Sequence, residues 1–80
     1  MANREVVIYS SPGCGPCKAA KSYFESNGVE YTEYDVTLDP QRAIEILEKT
    51  GSQSVPVIII DEKIFTSFDK AEIAKELGLN

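Results

Sequence analysis

The sequence predicts a single α/β domain built on a small mixed sheet, and three observations carry that reading. Its eighty residues leave room for one hydrophobic core only. Short β-branched runs alternate with segments whose apolar residues recur at helical spacing. The last two β-like runs are joined by just two residues, Asp61 and Glu62, a connection short enough to force antiparallel pairing.

The elements follow in order. The stretch EVVIYSS is a β-branched run closed by Ser-Ser-Pro-Gly, so it reads as a strand and a turn. From Pro16, PCKAAKSYFESNG sets Ala20, Tyr23 and Phe24 on one helical face, with Gly28 as the stop. VEYTEYDV alternates apolar or aromatic positions with Glu and Thr, the pattern of a second strand. Asp39 is placed as an N-cap, Pro40 as the first helical residue and Gly51 as the terminator; Ala43, Ile44 and Leu47 form the predicted buried stripe. PVIIID is a continuous apolar run, expected to be a third strand covered on both faces. KIFTS makes a short fourth strand. Asp69 then caps a last helix, with Ala71, Ile73, Ala74 and Leu77 inward or nearly so and Gly78 at its end. The order is β-α-β-α-β-β-α, a four-stranded mixed sheet flanked by three helices, with a right-handed crossover in the first βαβ unit. No repeat, linker or low-complexity tract interrupts it, so residues 1–80 are read as one domain.

Composition narrows the function classes. The apolar fraction of 42% suits a globular protein and is too high for a disordered one. With no Trp, three Phe and four Tyr, the core has to be mainly aliphatic. A net charge of -5 argues against a nucleic-acid binder, which would present a basic patch, and serves solubility instead. The opening MANREVVIYSS carries Arg4 and Glu5 just ahead of its apolar run and reads as a strand rather than a secretory signal. The longest apolar run, Val55 to Ile60, is too short to span a membrane. Two cysteines are too few for a disulfide-stapled secreted scaffold, which places the chain in the cytoplasm, where an oxidised pair is usually transient and catalytic. Nothing calls for more than a monomer.

Those two cysteines sit in SPGCGPCK. A structural zinc site wants four Cys or His ligands, and this chain offers Cys14, Cys17 and no histidine, so it holds no metal site of its own. A structural clip across so short a loop would remove little unfolded-state entropy. The redox reading explains the placement. The strand-to-helix turn brings Cys14 to a helix start, where unpaired N–H groups and the helix dipole favour a thiolate. Cys17 follows close to one turn later, within reach of Cys14, and Pro16 suits the first helical position. Lys18 and Lys21 oppose the dipole by roughly 0.3–1 kcal/mol each when exposed. Lys21 reads as a surface charge paired with Glu25 at i,i+4. Lys18 is either a surface charge or an electrostatic support for the thiolate. Tyr9, Tyr23 and Phe24 fall at core-like positions, while Phe65 and Phe68 either line a groove beside Cys14 or cover the sheet edge.

YSSPGCGPC at residues 9–17, SVP at 54–56 and FTSFDKAEI at 65–73 together resemble the glutaredoxin-like redoxins of the thioredoxin superfamily, over essentially the whole chain. True thioredoxins share only the Cys-Gly-Pro-Cys loop, carry a tryptophan where Gly13 stands, and have an additional N-terminal strand and helix. The resemblance implies a thioredoxin-like fold and a thiol–disulfide exchange cycle, with Cys14 as nucleophile and Cys17 as resolving thiol and no bound organic cofactor. It also implies a cis Val55–Pro56 bond facing Cys14, with the Val55 backbone pairing with substrate. Glutathione-using relatives carry a Gly-Gly pair where Thr66 and Ser67 stand here, and a basic residue where Ser11 stands; Asp69 keeps its place, either as a ligand contact or as a plain N-cap. These departures point towards the redoxins that draw electrons from thioredoxin reductase and serve, for example, ribonucleotide reductase. The alternatives are a glutathione-dependent glutaredoxin and, further off, a dimer sharing an iron–sulfur cluster through Cys14 and external thiols.

Overall fold

Strand β1 (Val6–Ser10) lies near the middle of the sheet, with β2 (Thr32–Asp35) on one side and β3 (Val57–Ile60), then β4 (Lys63–Phe65), on the other. The computed structural model describes residues 5–52 and 54–78. The opening residues through Arg4, on which part of the secretory-signal reading rested, lie outside the described residues. Strands β1 and β2 run parallel, as the crossover through helix α1 (Gly15–Ser26) requires, and β1–β3 and β3–β4 are antiparallel. Helices α2 (Pro40–Thr50) and α3 (Lys70–Leu77) complete the predicted order. Each strand is a residue or more shorter than its apolar run; β4 ends at Phe65, leaving Thr66 and Ser67 in the bend that follows.

The two faces of the sheet fill by simple alternation along its strands. Val6 and Ile8 of β1, with Ile58 and Ile60 of β3, pack under Ala20 and Phe24 of α1 and Ile73 of α3. The opposite side takes Val7, Tyr9, Val57 and Ile59, covered by Ile46 of α2. The result is three layers, with two helices over one face and one over the other. Strand β3 is buried on both faces as expected, except at Ile59, which is half-buried.

One helix is rotated from its predicted orientation. Ile46 is fully buried, whereas Ile44 and Leu47 are 53% and 42% exposed; of the predicted stripe only Ala43 is partly covered. Polar contacts on the flank of α2 accompany that rotation. Arg42 Nη1 donates to Glu45 Oε1 at 2.9 Å, its guanidinium sits 4.0 Å from the Tyr34 ring centroid, and the Tyr9 hydroxyl donates to Glu45 at 3.3 Å. Ile44, two residues from Ile46 and so about 200° around the helix, is left facing solvent. Asp39 occupies the N-cap position but its side chain makes no cap hydrogen bond; it pairs instead with Arg42 Nε at 3.6 Å. In α3, Ile73 is buried, Ala74 and Leu77 are half-buried, and Ala71 is exposed rather than inward.

Strand direction decides what meets where. Tyr9 is the register partner of Val57, and Ile58 of Phe65, so the end of β1, the start of β3 and the end of β4 lie at one end of the sheet. The loop to Cys14, the segment Ser54–Pro56 and the bend at Thr66–Asp69 all leave from that end.

Candidate active site

Cys14 is the N-cap of α1, with extended backbone (φ −86°, ψ 106°). Its Sγ accepts the backbone N–H of Cys17 at 3.1 Å, the role a Ser or Asp side chain plays at most helix starts. Its own N–H donates to Ser11 O at 3.3 Å, closing the preceding turn. That turn needs Gly13 at φ +77°, a left-handed conformation a side chain would strain. Gly15 takes the first helical position and Pro16 the second, one later than predicted; a donor at either position has no intrahelical partner, so the N–H that proline lacks costs nothing there.

Cys14 and Cys17 are joined as a disulfide, with Cα atoms 5.2 Å apart, inside the ordinary range. The two sulfur residues differ in access: Cys14 is partly exposed, Cys17 only 1% exposed. The Val55–Pro56 peptide is cis, with Pro56 buried and Val55 half-buried. Thr66, Ser67 and Asp69 are exposed at the same end of the sheet. Asp69 is a working N-cap, its Oδ1 accepting the Glu72 N–H at 3.3 Å. Lys18 is exposed in the first turn of α1. Tyr9 and Phe24 are core residues, and Phe65 packs against the α1-side core from β4. Phe68 also packs on that core; its ring lies 5.8 Å from that of Tyr23 and lines a shallow groove along the later turns of α1, with Ser22, Ser26 and Lys70.

Lys21 departs from its expected partner. Its Nζ contacts Glu33 Oε2 on β2 at 2.7 Å, and Glu25 instead accepts the Tyr31 hydroxyl at 2.7 Å. Glu33 Oε2 also accepts the hydroxyl of the buried Ser10 at 2.6 Å. The hydrogen bond from Lys21, then that from Ser10, hold the Glu33 carboxyl below its usual range. The signal for Ser10 was in the sequence: it shares an alternation with Val6 and Ile8, a polar residue at the end of an inward-facing set. Among the described residues, no group of three His, Cys, Asp or Glu side chains is placed to hold a metal ion, and no helix is long and apolar enough to cross a membrane.

A half-accessible sulfur at a helix start, bonded to a buried one a turn later on a four-stranded mixed sheet, defines a small thiol–disulfide redoxin. Residues 6–65 match the family model for glutaredoxin, and the chain belongs to the glutaredoxin family. It is 37% identical over 70 residues, 88% of this chain and 93% of the relative, to a glutaredoxin-like 8.6 kDa protein in the rubredoxin operon of Clostridium pasteurianum. It is 29% identical, over 88% of this chain and 96% of the relative, to the glutaredoxin-like protein NrdH of Lactococcus lactis subsp. cremoris. Among solved structures, a mutant of the thioredoxin-like protein BC3987 superposes with a TM-score of 0.89 at 28% identity, covering 95% of this chain and 97% of that one.

Proposed function

We propose that this redoxin reduces protein disulfides by a dithiol cycle and is recharged by thioredoxin reductase. The observation that carries the reading is the unequal access of the pair: Cys14 is reachable and Cys17 is 1% exposed. The Cys14 thiolate attacks one sulfur of a substrate disulfide, forming a mixed disulfide and releasing the first substrate thiolate. Cys17, deprotonated, attacks the Cys14 sulfur; the second substrate thiolate leaves and the internal disulfide forms. Two electrons pass to the substrate and return from the dithiol of the reductase. Val55 and Pro56 would flank the bound substrate, and Lys18 would support the Cys14 charge. Ribonucleotide reductase is the substrate type implied by the resemblance to NrdH-like redoxins. The cycle needs one chain, working as a monomer in the cytoplasm.

Thr66 and Ser67 favour thioredoxin reductase as the donor, because side chains stand where glutathione-using relatives have glycines. Glutathione as co-substrate is the second reading, favoured by Asp69, which sits at the start of α3 at the same sheet end as Cys14. The cluster-bearing dimer needs thiols from outside the chain; anaerobically purified protein with no visible absorbance would dispose of it. The decisive assay mixes oxidised protein with NADPH and either thioredoxin reductase or glutathione plus glutathione reductase. Reduction by thioredoxin reductase alone is the expected result, and efficient reduction by glutathione reverses the donor assignment. Cys17→Ser should accumulate the mixed disulfide with a protein substrate. Wild-type turnover of protein disulfides by that variant would overturn the dithiol cycle.

A further inference from the structure

Lys70 is the first residue of α3, where a cation works against the helix dipole, and among the described residues it forms no ion pair. Its ammonium sits instead 5.6 Å from the centre of the Tyr23 ring. An exposed ammonium over a ring stabilises a fold only weakly, so the fold gains little from this lysine. The Tyr23 and Phe68 rings, 5.8 Å apart and each half-buried, floor the groove that runs along α1 from Ala19 to Asn27. Exposed Ser22 and Ser26 line it as well. No lining residue is acidic, in a chain of net charge -5. The carboxylates close by in sequence belong elsewhere. Asp69 Oδ1 takes the Glu72 N–H, and Glu25 takes the Tyr31 hydroxyl. Glu72 itself lies two residues beyond Lys70, about 200° around the helix. The groove thus sets an apolar floor beside a cation that has no carboxylate of its own.

We propose that this groove holds a segment of the substrate protein beside its disulfide, with an aromatic or large apolar side chain on the Tyr23 and Phe68 rings and a carboxylate at the Lys70 ammonium. The proposal rests on the reading of the chain as a reductant of protein disulfides. Such a segment answers both parts of the surface: ring contact removes apolar area from water, and the carboxylate supplies the partner that Lys70 lacks. Its spacing follows from the helix. Cys14 and Tyr23 stand nine residues apart in sequence, about 13.5 Å of helix axis, which an extended chain covers in about four residues. The carboxylate therefore belongs about four residues from the substrate cysteine.

The first test needs no redox chemistry. Two peptides carry serine in place of the substrate cysteine, with a Phe-Asp pair about four residues before it in one and after it in the other. Titrated into oxidised protein, one of them should shift the amide resonances of Ser22, Ser26 and Lys70 to saturation. Its Phe-Asn counterpart should bind about tenfold more weakly, and Lys70→Met should abolish that difference. No shift with either peptide, or a difference that survives Lys70→Met, overturns the proposal. The second test restores the cysteine and uses each peptide as its mixed disulfide with β-mercaptoethanol. In Lys70→Met the kcat/KM for the Phe-Asp peptide should fall about tenfold, while turnover of neutral hydroxyethyl disulfide stays as it was. Lys70→Glu should reverse the preference, towards a Phe-Lys peptide. An equal fall for every substrate marks a merely structural lysine and overturns the proposal. Slower recharging of Lys70→Met by thioredoxin reductase, with peptide kinetics unmoved, gives the groove to the donor and overturns it too. Failure to reduce any of these disulfides tells against the dithiol reading instead, and the binding titration then decides the groove by itself.

Discussion

The backbone N–H of Cys17 donates to Sγ of Cys14 at 3.1 Å, so one hydrogen bond both caps α1 and marks the place where charge can rest on sulfur. In the reduced protein an ionised Cys14 keeps that donor and gains a charge-assisted bond at the positive end of the helix. Cys17 has burial against it and no free helix N–H to accept. Cys14 should therefore be alkylated first, with a midpoint below the ordinary thiol value of about 8.5. Mapping iodoacetamide adducts against pH checks this, and earlier labelling of Cys17 would reverse the assignment of nucleophile.

Much of this arrangement was legible from residue order alone, because each element announces itself locally. Gly51 and Gly78 end α2 and α3 in left-handed backbone, as predicted, and the two-residue link at Asp61 forces the hairpin. The Cys-Gly-Pro-Cys turn declares its own chemistry. What escaped depends on contacts far apart in the chain. The rotation of α2 goes with Arg42 and Glu45 meeting Tyr34 and Tyr9, partners on two different strands. Spacing within the helix pointed to Ile44, in line with Ala43 and Leu47, and not to Ile46. Lys21 had a good i,i+4 partner in Glu25, but Tyr31 claims that carboxylate and β2 brings Glu33 within reach. No local pattern ranks such competitors.

The orientation of α2 can be checked by stability. Ile46→Ala removes a fully buried side chain between Tyr9 and Val57 and should cost about 2–5 kcal/mol. Ile44→Ala, on a residue 53% exposed, should stay within about 0.5 kcal/mol. Chemical denaturation of both variants measures the contrast. Equal losses would mean that the helix buries the predicted stripe after all.

Replacing Thr66 and Ser67 by glycine should open the exposed bend before α3 to the backbone of a bound peptide. Turnover with glutathione should rise by about tenfold, equivalent to about 1.4 kcal/mol, with turnover by thioredoxin reductase little changed. A coupled NADPH assay with each donor separates the two. If the double variant uses glutathione no better than the parent, these side chains are not what discriminates between donors.

Tyr31 gives the fold a defined alkaline limit. Burial, and after it the bond to Glu25, push its hydroxyl up to about 12, against an ordinary value of about 10. Between those values the folded chain keeps a proton that the unfolded chain has lost. The stability this contributes is full below about pH 10 and drains away as pH climbs to about 12. Tyr9 acts in the same direction, raised first by burial and then by the charge of Glu45. Tyr31→Phe removes the hydroxyl and retains a ring at the position that packs 5.6 Å from Phe24. Denaturation of the parent at pH 8, 10 and 11.5 should therefore show falling stability above 10, with a shallower fall in Tyr31→Phe and a remainder assigned to Tyr9. Identical slopes in parent and variant would mean that Tyr31 ionises as freely in the folded chain as in the unfolded one.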